Sequence, residues 1–378
     1  MRQKLFDMIN WWLEKGIAGF RIDAIINIKK DLSWTSLPAD GEDGLVAVQA
    51  SLENAQPIEP FLRELKETCF DPHNAFTVGE VFNETEEELH FFIGEDGMFS
   101  SIFDFKQAIL GQKGNGWHDF VEPSAEEIKR SIFDAHKRAD EIGVLSTIIE
   151  NHDESRGVSH FIPKADLSDQ SKKALATIQL LRKGIPFIYQ GQEIGMENQV
   201  FTRLEDFDDI STLNEYHVAL EYGVSAEAAL QTAGKYSRDN ARTPMQWTDE
   251  ECLGFSTIKP WLISPYPNTA INVADQEKEA KSVLGYYRAL TALYRHPVYG
   301  ETIRSGAFRP LYEEVKNVIA YERSGEEIIQ VVVNFQPEAT LLTLSAVPKE
   351  IILQNSHEVD LQENVVHLQP YQAVVVAL

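Results

Sequence analysis

Short β-forming runs alternate with longer stretches of helical periodicity along the first 300 residues of this 378-residue chain. The runs are GIAGFRID (16–23), AFTVGEVF (75–82), SSIFDF (100–105), VLSTIIENHD (144–153) and IPFIYQGQEIG (185–195). Between them lie IEPFLRELKETCF, TEEELHFFI, SAEEIKRSIFDAHKRADEIG, with Ser124 as an N-cap, and SDQSKKALATIQLLRKG. Regular alternation of this kind implies parallel β/α units. From about residue 300 the pattern changes to short strands with turn signals and almost no helix, which predicts an appended antiparallel β-domain. The domain reading is therefore 1–298 for the α/β part and 299–378 for an all-β part. The opening stretch reads as an amphipathic helix with Leu5, Ile9, Trp12 and Leu13 along one stripe. Residues 191–260 read as irregular and, being long for a single connection, as a functional loop.

The second constraint is charge where apolar residues are expected. Arg21 and Asp23 interrupt GIAGFRIDAI, and an unpaired buried charge costs several kcal/mol or shifts its pKa. Two more β-runs end in acids, Glu80 and Asp153, the latter preceded by His152. In a (β/α)8 barrel, functional groups gather at the carboxyl ends of several strands. Side-chain alternation puts Arg21 and Asp23 on one side of their strand and Phe20 and Ile22 on the other. A strand-end acid alone often does no more than cap the next helix. Three of them, with an arginine and a histidine, point to chemistry. Facing carboxylates serve glycoside hydrolysis, one as nucleophile and one as acid then base. Arg21 favours an ionised Asp23, and the charge of Asp23 is expected to raise the pKa of Glu80. Asp153 is then free to bind sugar hydroxyls. No H-x-H or H-E-x-x-H spacing supports a metal, so no metal ligand is expected.

Composition narrows the partners. The formal net charge of −25 argues against nucleic acid and anionic membranes. No apolar stretch approaches the ~20 residues that span a bilayer. Two cysteines, Cys69 and Cys252, indicate no disulfide framework and fit a reducing, cytoplasmic compartment.

GFRIDAI, TVGEVF and ENHDESR resemble, in order and spacing, three sequence signatures of the α-amylase family, glycoside hydrolase family 13. GIPFIYQGQEIGM resembles its eighth-strand segment, and SRDNARTPMQW with LEDFDDISTLN narrows the likeness to the oligo-1,6-glucosidase and α-glucosidase branch. The resemblance implies an exo-acting retaining α-glucosidase that takes terminal α-linked glucose from short oligosaccharides or disaccharides of the maltose or isomaltose type. It assigns Asp23 as nucleophile, Glu80 as general acid/base and Asp153 as transition-state stabiliser. Arg21 and His152 would contact the same glucose, Arg242 would close the pocket around its non-reducing end, and Arg238 would lie beside it. For both of those arginines a structural salt bridge is the alternative. No cofactor is implied. The calcium loop of some members would lie in a part of the family fold that precedes residue 1.

Only five of the family's eight barrel strands are legible. The expectation is a partial (β/α)8 TIM barrel, strands four to eight, followed by an antiparallel β-sandwich. On this reading the chain is a monomeric fragment, inactive alone. Ala24 stands where enzymes preferring α-1,6 links usually carry valine, which leans toward maltose-type or mixed specificity; packing against the next helix is the bland alternative. A trehalose-6-phosphate hydrolase, a sucrose isomerase and a non-catalytic remnant remain as other readings, the first without a visible basic cluster. Among aromatic residues, Phe82 and Tyr189 are candidates for sugar stacking, while Trp11 and Trp12 read as packing. His160 and His296 read as ordinary.

Overall fold

The computed structural model describes residues 1–28, 30–42, 44–46, 50, 57–82, 84–356 and 358–378. The chain forms two compact units, one of Met1–Asp104 with Arg138–Ser146, the other of Phe105–Lys137 with Thr147–Leu378.

In the first unit, α1 (Arg2–Glu14) leads into β1 (Gly19–Ile22), and α2 (Glu59–Leu65) precedes β2 (Phe76–Gly79). After α3 (Glu86–Ile93) come β3 (Ser101–Asp104) and β4 (Leu145–Thr147). β1 and β2 pair in parallel, as do β2 and β3, and the strands lie side by side in sequence order. Glycines permit this close pairing. A Cβ on Gly19 would sit 1.7 Å from the Phe76 carbonyl oxygen across the ladder, and one on Gly79 would sit 2.6 Å from the Phe99 ring. Thr85 and Glu88 cap α3 reciprocally, which fixes where the chain re-enters helix after β2.

The first helix corrects the expected stripe. Phe6 and Leu13 are its buried residues, with Ile9 between them, whereas Leu5, Trp11 and Trp12 are exposed. The buried spacing is i, i+3, i+7, and Phe6 stacks on Phe61 of α2 with ring centroids 6.0 Å apart. Trp11 and Trp12 pack chiefly on each other, edge to face at 4.7 Å.

In the second unit, α4 (Ala125–Ala139) begins at Ser124, whose hydroxyl accepts from the Glu127 amide. α5 (Asp169–Leu181) is capped by Ser168 and buried nearly all round, so it is a core helix and not a surface one. Residues 191–260, expected to be irregular, instead hold α6 (Ile210–Glu221), α7 (Ala226–Tyr236) and the short α8 (Asp239–Arg242). Asp209 and Ser225 accept from the Thr212 and Ala228 amides and start the two longer helices. Next come α9 (Val283–Leu293) and α10 (Gly300–Ser305), which runs straight into the first of the C-terminal strands. The expected boundary at 298/299 thus falls inside this unit.

The C-terminal strands are β6 (Ala307–Leu311), β7 (Val318–Ser324), β8 (Ile328–Asn334), β9 (Thr340–Thr343), β10 (Glu350–Gln354), β11 (Asp360–Gln362), β12 (Val365–Leu368) and β13 (Ala373–Ala377). They form two antiparallel sheets ordered β10-β13-β8-β7-β6 and β11-β12-β9. Alternation decides which core each side chain enters. Val331, Val333 and Val375 join Leu175, Ile178 and Leu290 of the helices, while Val332, Val374 and Val376 meet Leu342, Val366 and Leu368 of the smaller sheet. The larger sheet is therefore apolar on both faces, as its valine-rich strands require.

Polar pins hold the helices to this sheet. Arg323, fully buried, donates to the Leu181 and Gly306 carbonyls. The buried Lys129 ammonium donates to the carbonyls of Glu313 (3.2 Å) and Val315 (2.9 Å) and pairs with Glu126 at 2.8 Å. Lys129→Met keeps the aliphatic stem but strands three acceptors, so urea denaturation should show a loss of about 2–4 kcal/mol. A change below ~0.5 kcal/mol would mean that the pin does not stabilise the fold.

Candidate active site

Asp23 and Glu80 each stand immediately after a strand, β1 and β2, whose parallel register places Ile22 opposite Gly79. Arg21 joins the acids. One terminal nitrogen of its guanidinium contacts Asp23 Oδ1, and the other lies 2.6 Å from Glu80 Oε1. Glu80 Oε2 accepts from the Ala24 amide at 2.6 Å. The Glu80 side chain is buried and that of Asp23 is exposed. Ala24 adopts φ +39°, a left-handed conformation that side chains with a Cβ seldom take. That local turn aims its N–H at Glu80, so the strain sits at the site itself. The Ala24 backbone thus helps hold Glu80, which the sequence did not reveal.

A second cluster gathers in the other unit. Asp153 was expected at a strand end, but β4 stops at Thr147 and Asp153 lies in the loop beyond. Its Oδ1 accepts from Arg242 (2.9 Å) and Arg238 (3.1 Å), and its Oδ2 is 3.2 Å from His152 Nε2. Arg242 also donates to the His152 carbonyl at 3.0 Å. Arg242 ends α8 and Arg238 immediately precedes it, and both are engaged by carboxylates. Behind them, Asp209 accepts from Arg238 at 2.6 Å. Burial alone would raise the Asp209 carboxyl, but hydrogen bonds from Arg238 and Thr212 outweigh it and hold it below the usual carboxylate range. The expected site residues therefore form two groups, Arg21–Asp23–Glu80 in one unit and His152–Asp153–Arg238–Arg242 in the other.

The loop bearing Asp153 is closed by a fully buried ion pair. Glu150 and Arg156 meet at 3.0 Å, Glu150 also accepts from the Gly157 amide at 2.6 Å, and Arg156 donates to the Gln190 carbonyl at 2.8 Å. Arg156 lies over the Tyr189 ring, 5.3 Å from its centroid, and the Tyr189 hydroxyl donates to the Ala241 carbonyl in α8. Tyr189, a stacking candidate from sequence, thus ties the loop after β5 (Ile185–Pro186) to α8. Phe82 is about one-third exposed, two residues after Glu80.

Sequence reasoning passed over Glu154. It follows Asp153, is half-buried, and has no hydrogen-bond or ion-pair partner among the described residues. Burial, then the charge of Asp153, push its carboxyl up to about 7 against the pull of Arg238. Nothing in ENHDESR distinguishes that acid from a solvated one, since most of its environment is made by residues distant in sequence. His160, which reads as ordinary from sequence, has a buried Nε2 with no partner among the described residues. Burial and the nearby Lys235 lower its pKa to about 4, so it is neutral. Among the described residues no cluster could hold a metal ion, and no helix is long and apolar enough to cross a membrane.

Comparison with known proteins shows the family. The family model for the alpha amylase catalytic domain matches residues 1–300. The chain belongs to the α-amylase family and has its TIM-barrel fold followed by antiparallel β-sheets. A probable oligo-1,6-glucosidase 3 of Bacillus subtilis (strain 168) is 36% identical over 330 residues, covering 86% of this chain and 58% of that protein. An oligo-1,6-glucosidase of Bacillus cereus is 33% identical over 389 residues, covering 100% of this chain and 68% of that protein. Among solved structures, a point mutant of the trehalulose synthase MutB, in complex with Tris, superposes with a TM-score of 0.89 at 31% identity, over 100% of this chain and 68% of that one. The chain thus spans about three-fifths to two-thirds of the length of these relatives.

The raised Glu154 pKa has a consequence for stability. The folded state holds a proton there that the unfolded state releases, so stability falls as pH rises from about 4.5 to about 7. Glu154→Gln removes that penalty. The variant should gain about 2–3 kcal/mol over the parent at pH 8 and little at pH 5, compared by urea denaturation at both values. Equal gains at the two pH values would place Glu154 in water.

Proposed function

We propose that this chain carries the catalytic acids of a retaining α-glucosidase acting on terminal α-linked glucose in short oligosaccharides. Asp23 attacks the anomeric carbon, and Glu80 protonates the leaving oxygen and then activates water. Asp153 binds hydroxyls of the same sugar, with His152, Arg242 and Arg238 around it. On this reading β1–β5 correspond to strands four to eight of the family barrel. The observation that carries the proposal is the Arg21 fork between Asp23 and Glu80. One guanidinium holding both carboxylates supports the close pairing of retaining enzymes, about 5–5.5 Å, over the wider gap that an inverting pair leaves for water.

The fork also sets what must happen in the reaction. Both Glu80 oxygens accept hydrogen bonds, from Arg21 and from the Ala24 amide. Delivering a proton to the glycosidic oxygen therefore requires one contact to open as the sugar enters. Arg21 can stay on Asp23 while Glu80 turns, because its two contacts use different nitrogens. The names of the relatives favour α-1,6 links, whereas the small Ala24 favours a mixed preference; comparing maltose with isomaltose as substrates decides between them.

A nitrophenyl α-glucoside and maltose together test the assignment of roles. Nitrophenolate leaves with little protonation, so Glu80→Gln should lower kcat on maltose by about 10²–10⁴ but spare the first step on the aryl glucoside. Asp23→Asn should abolish turnover of both and prevent labelling by a 2-fluoroglucosyl fluoride, read by peptide mass at residue 23. Retention of labelling in Asp23→Asn, or hydrolysis with inversion, overturns the proposal.

A further inference from the structure

A cavity of about 210 Å³ opens beside Asp153, within the second unit. One wall is aromatic. Phe120 and Trp117 meet Tyr236 edge to face, with ring centroids 5.2 and 6.4 Å apart, and the Trp117 amide is fixed to Glu215 at 2.8 Å. The other wall is polar and holds Glu154, His160 and Arg238. Two of these have unspent hydrogen-bonding capacity. Glu154 has no partner among the described residues, and the buried His160 Nε2 has none either. Such groups are costly to leave dry and unpaired, so they define what the cavity is shaped to accept.

The third group is spent. Arg238 uses its three nitrogens on Asp209 (2.6 Å), Asp153 (3.1 Å) and the Ser211 hydroxyl (3.1 Å). The nearby Lys235 pairs with Glu122 at 2.6 Å and lies over the Tyr236 ring. Among the described residues around the cavity, no cation is left to meet an anion, and the unpaired group beside Asp153 is itself an acid. A phosphate would enter beside Asp153, Asp209 and Glu154, where Arg238 and Arg242 are already engaged by the first two acids. A neutral pyranose fits on every side. Its C–H face can lie on the aromatic wall, and its hydroxyls can donate to Glu154.

We propose that Glu154 is a specificity-determining residue. It binds the hydroxyls of an uncharged sugar unit lodged beside Asp153, and it makes the site unreceptive to phosphorylated sugars. This deepens the glucosidase reading, on which it rests for Asp153 being at the reacting sugar, and it selects against a phosphodisaccharide substrate.

Calorimetry of the Asp23→Asn protein with isomaltose and with trehalose 6-phosphate measures the preference without turnover. Isomaltose should bind at least tenfold more tightly. Adding Glu154→Leu should weaken isomaltose about tenfold, and adding Glu154→Lys should shift the preference toward trehalose 6-phosphate. Glu154→Gln, nearly isosteric, keeps an acceptor; it should retain the preference for isomaltose and serves where the leucine variant does not fold. Equal binding of the two sugars by the parent, or a preference unmoved by Leu and Lys, overturns the proposal. Unmoved preference with intact aryl-glucoside turnover sinks this inference alone. A preference that moves as stated, in a protein with neither turnover nor labelling at residue 23, sinks the glucosidase reading and leaves the neutral-sugar site standing.

Discussion

Arg21 contacts Asp23 with one nitrogen and Glu80 with the other, and the site in the first unit depends on that fork. Two acids brought to adjacent strand ends repel one another unless a cation stands between them. A guanidinium suits the task better than an ammonium because its nitrogens are fixed in a plane and can serve two partners in set directions. The β1–β2 ladder supplies the rest. Ile22 lies opposite Gly79, so the acids that follow are delivered to neighbouring strand ends, and the missing side chains of Gly19 and Gly79 let Phe76 and Phe99 approach.

The second unit solves the same problem with a larger network. Asp153 takes two arginines on one oxygen, and those arginines lean on Asp209 and approach Asp239 behind. The Asp239 side chain accepts from the Asp208 and Asp209 amides, so the backbone holds the acid that faces Arg242. None of these groups is on a long strand. They are carried by loops and a four-residue helix, and the rigidity comes from the buried Glu150–Arg156 pair and from Tyr189, which reaches α8. Breaking such a pair leaves an uncompensated buried charge, which is why it fixes a loop so firmly.

Periodicity made the β/α alternation and the helices after β2, β3 and β4 legible, because Ser124 announces the start of α4 and apolar spacing marks each of them. Arg21, Asp23 and Glu80 were legible because charges in apolar runs demand partners. The α1 stripe was misread because Leu5 and Phe6 are neighbours and either can begin an i, i+3 series; only the presence of Phe61 selects Phe6. Residues 191–260 read as irregular although Asp209 and Ser225 are ordinary N-caps. α7 is rich in alanine and α6 intersperses polar residues among its apolar ones, so no strong apolar stripe marks them. Glu154 and His160 lay beyond reach for another reason. Their character comes from burial, and burial is set by α6, α7 and the aromatic residues at 117 and 120, far along the chain.

The distribution of unspent groups connects the network to selectivity. Each arginine near Asp153 is engaged by a carboxylate, and the polar side chain left over in the cavity is an acid, Glu154. On the proposal above, a site arranged this way favours hydroxyls, which can donate to the leftover acid, over an anionic ligand. The compensation that lets Asp153 sit among other acids is therefore also what removes free cations from its surroundings. Charge balance around one aspartate and discrimination between neutral and phosphorylated sugars are, on this structure, two consequences of the same set of ion pairs.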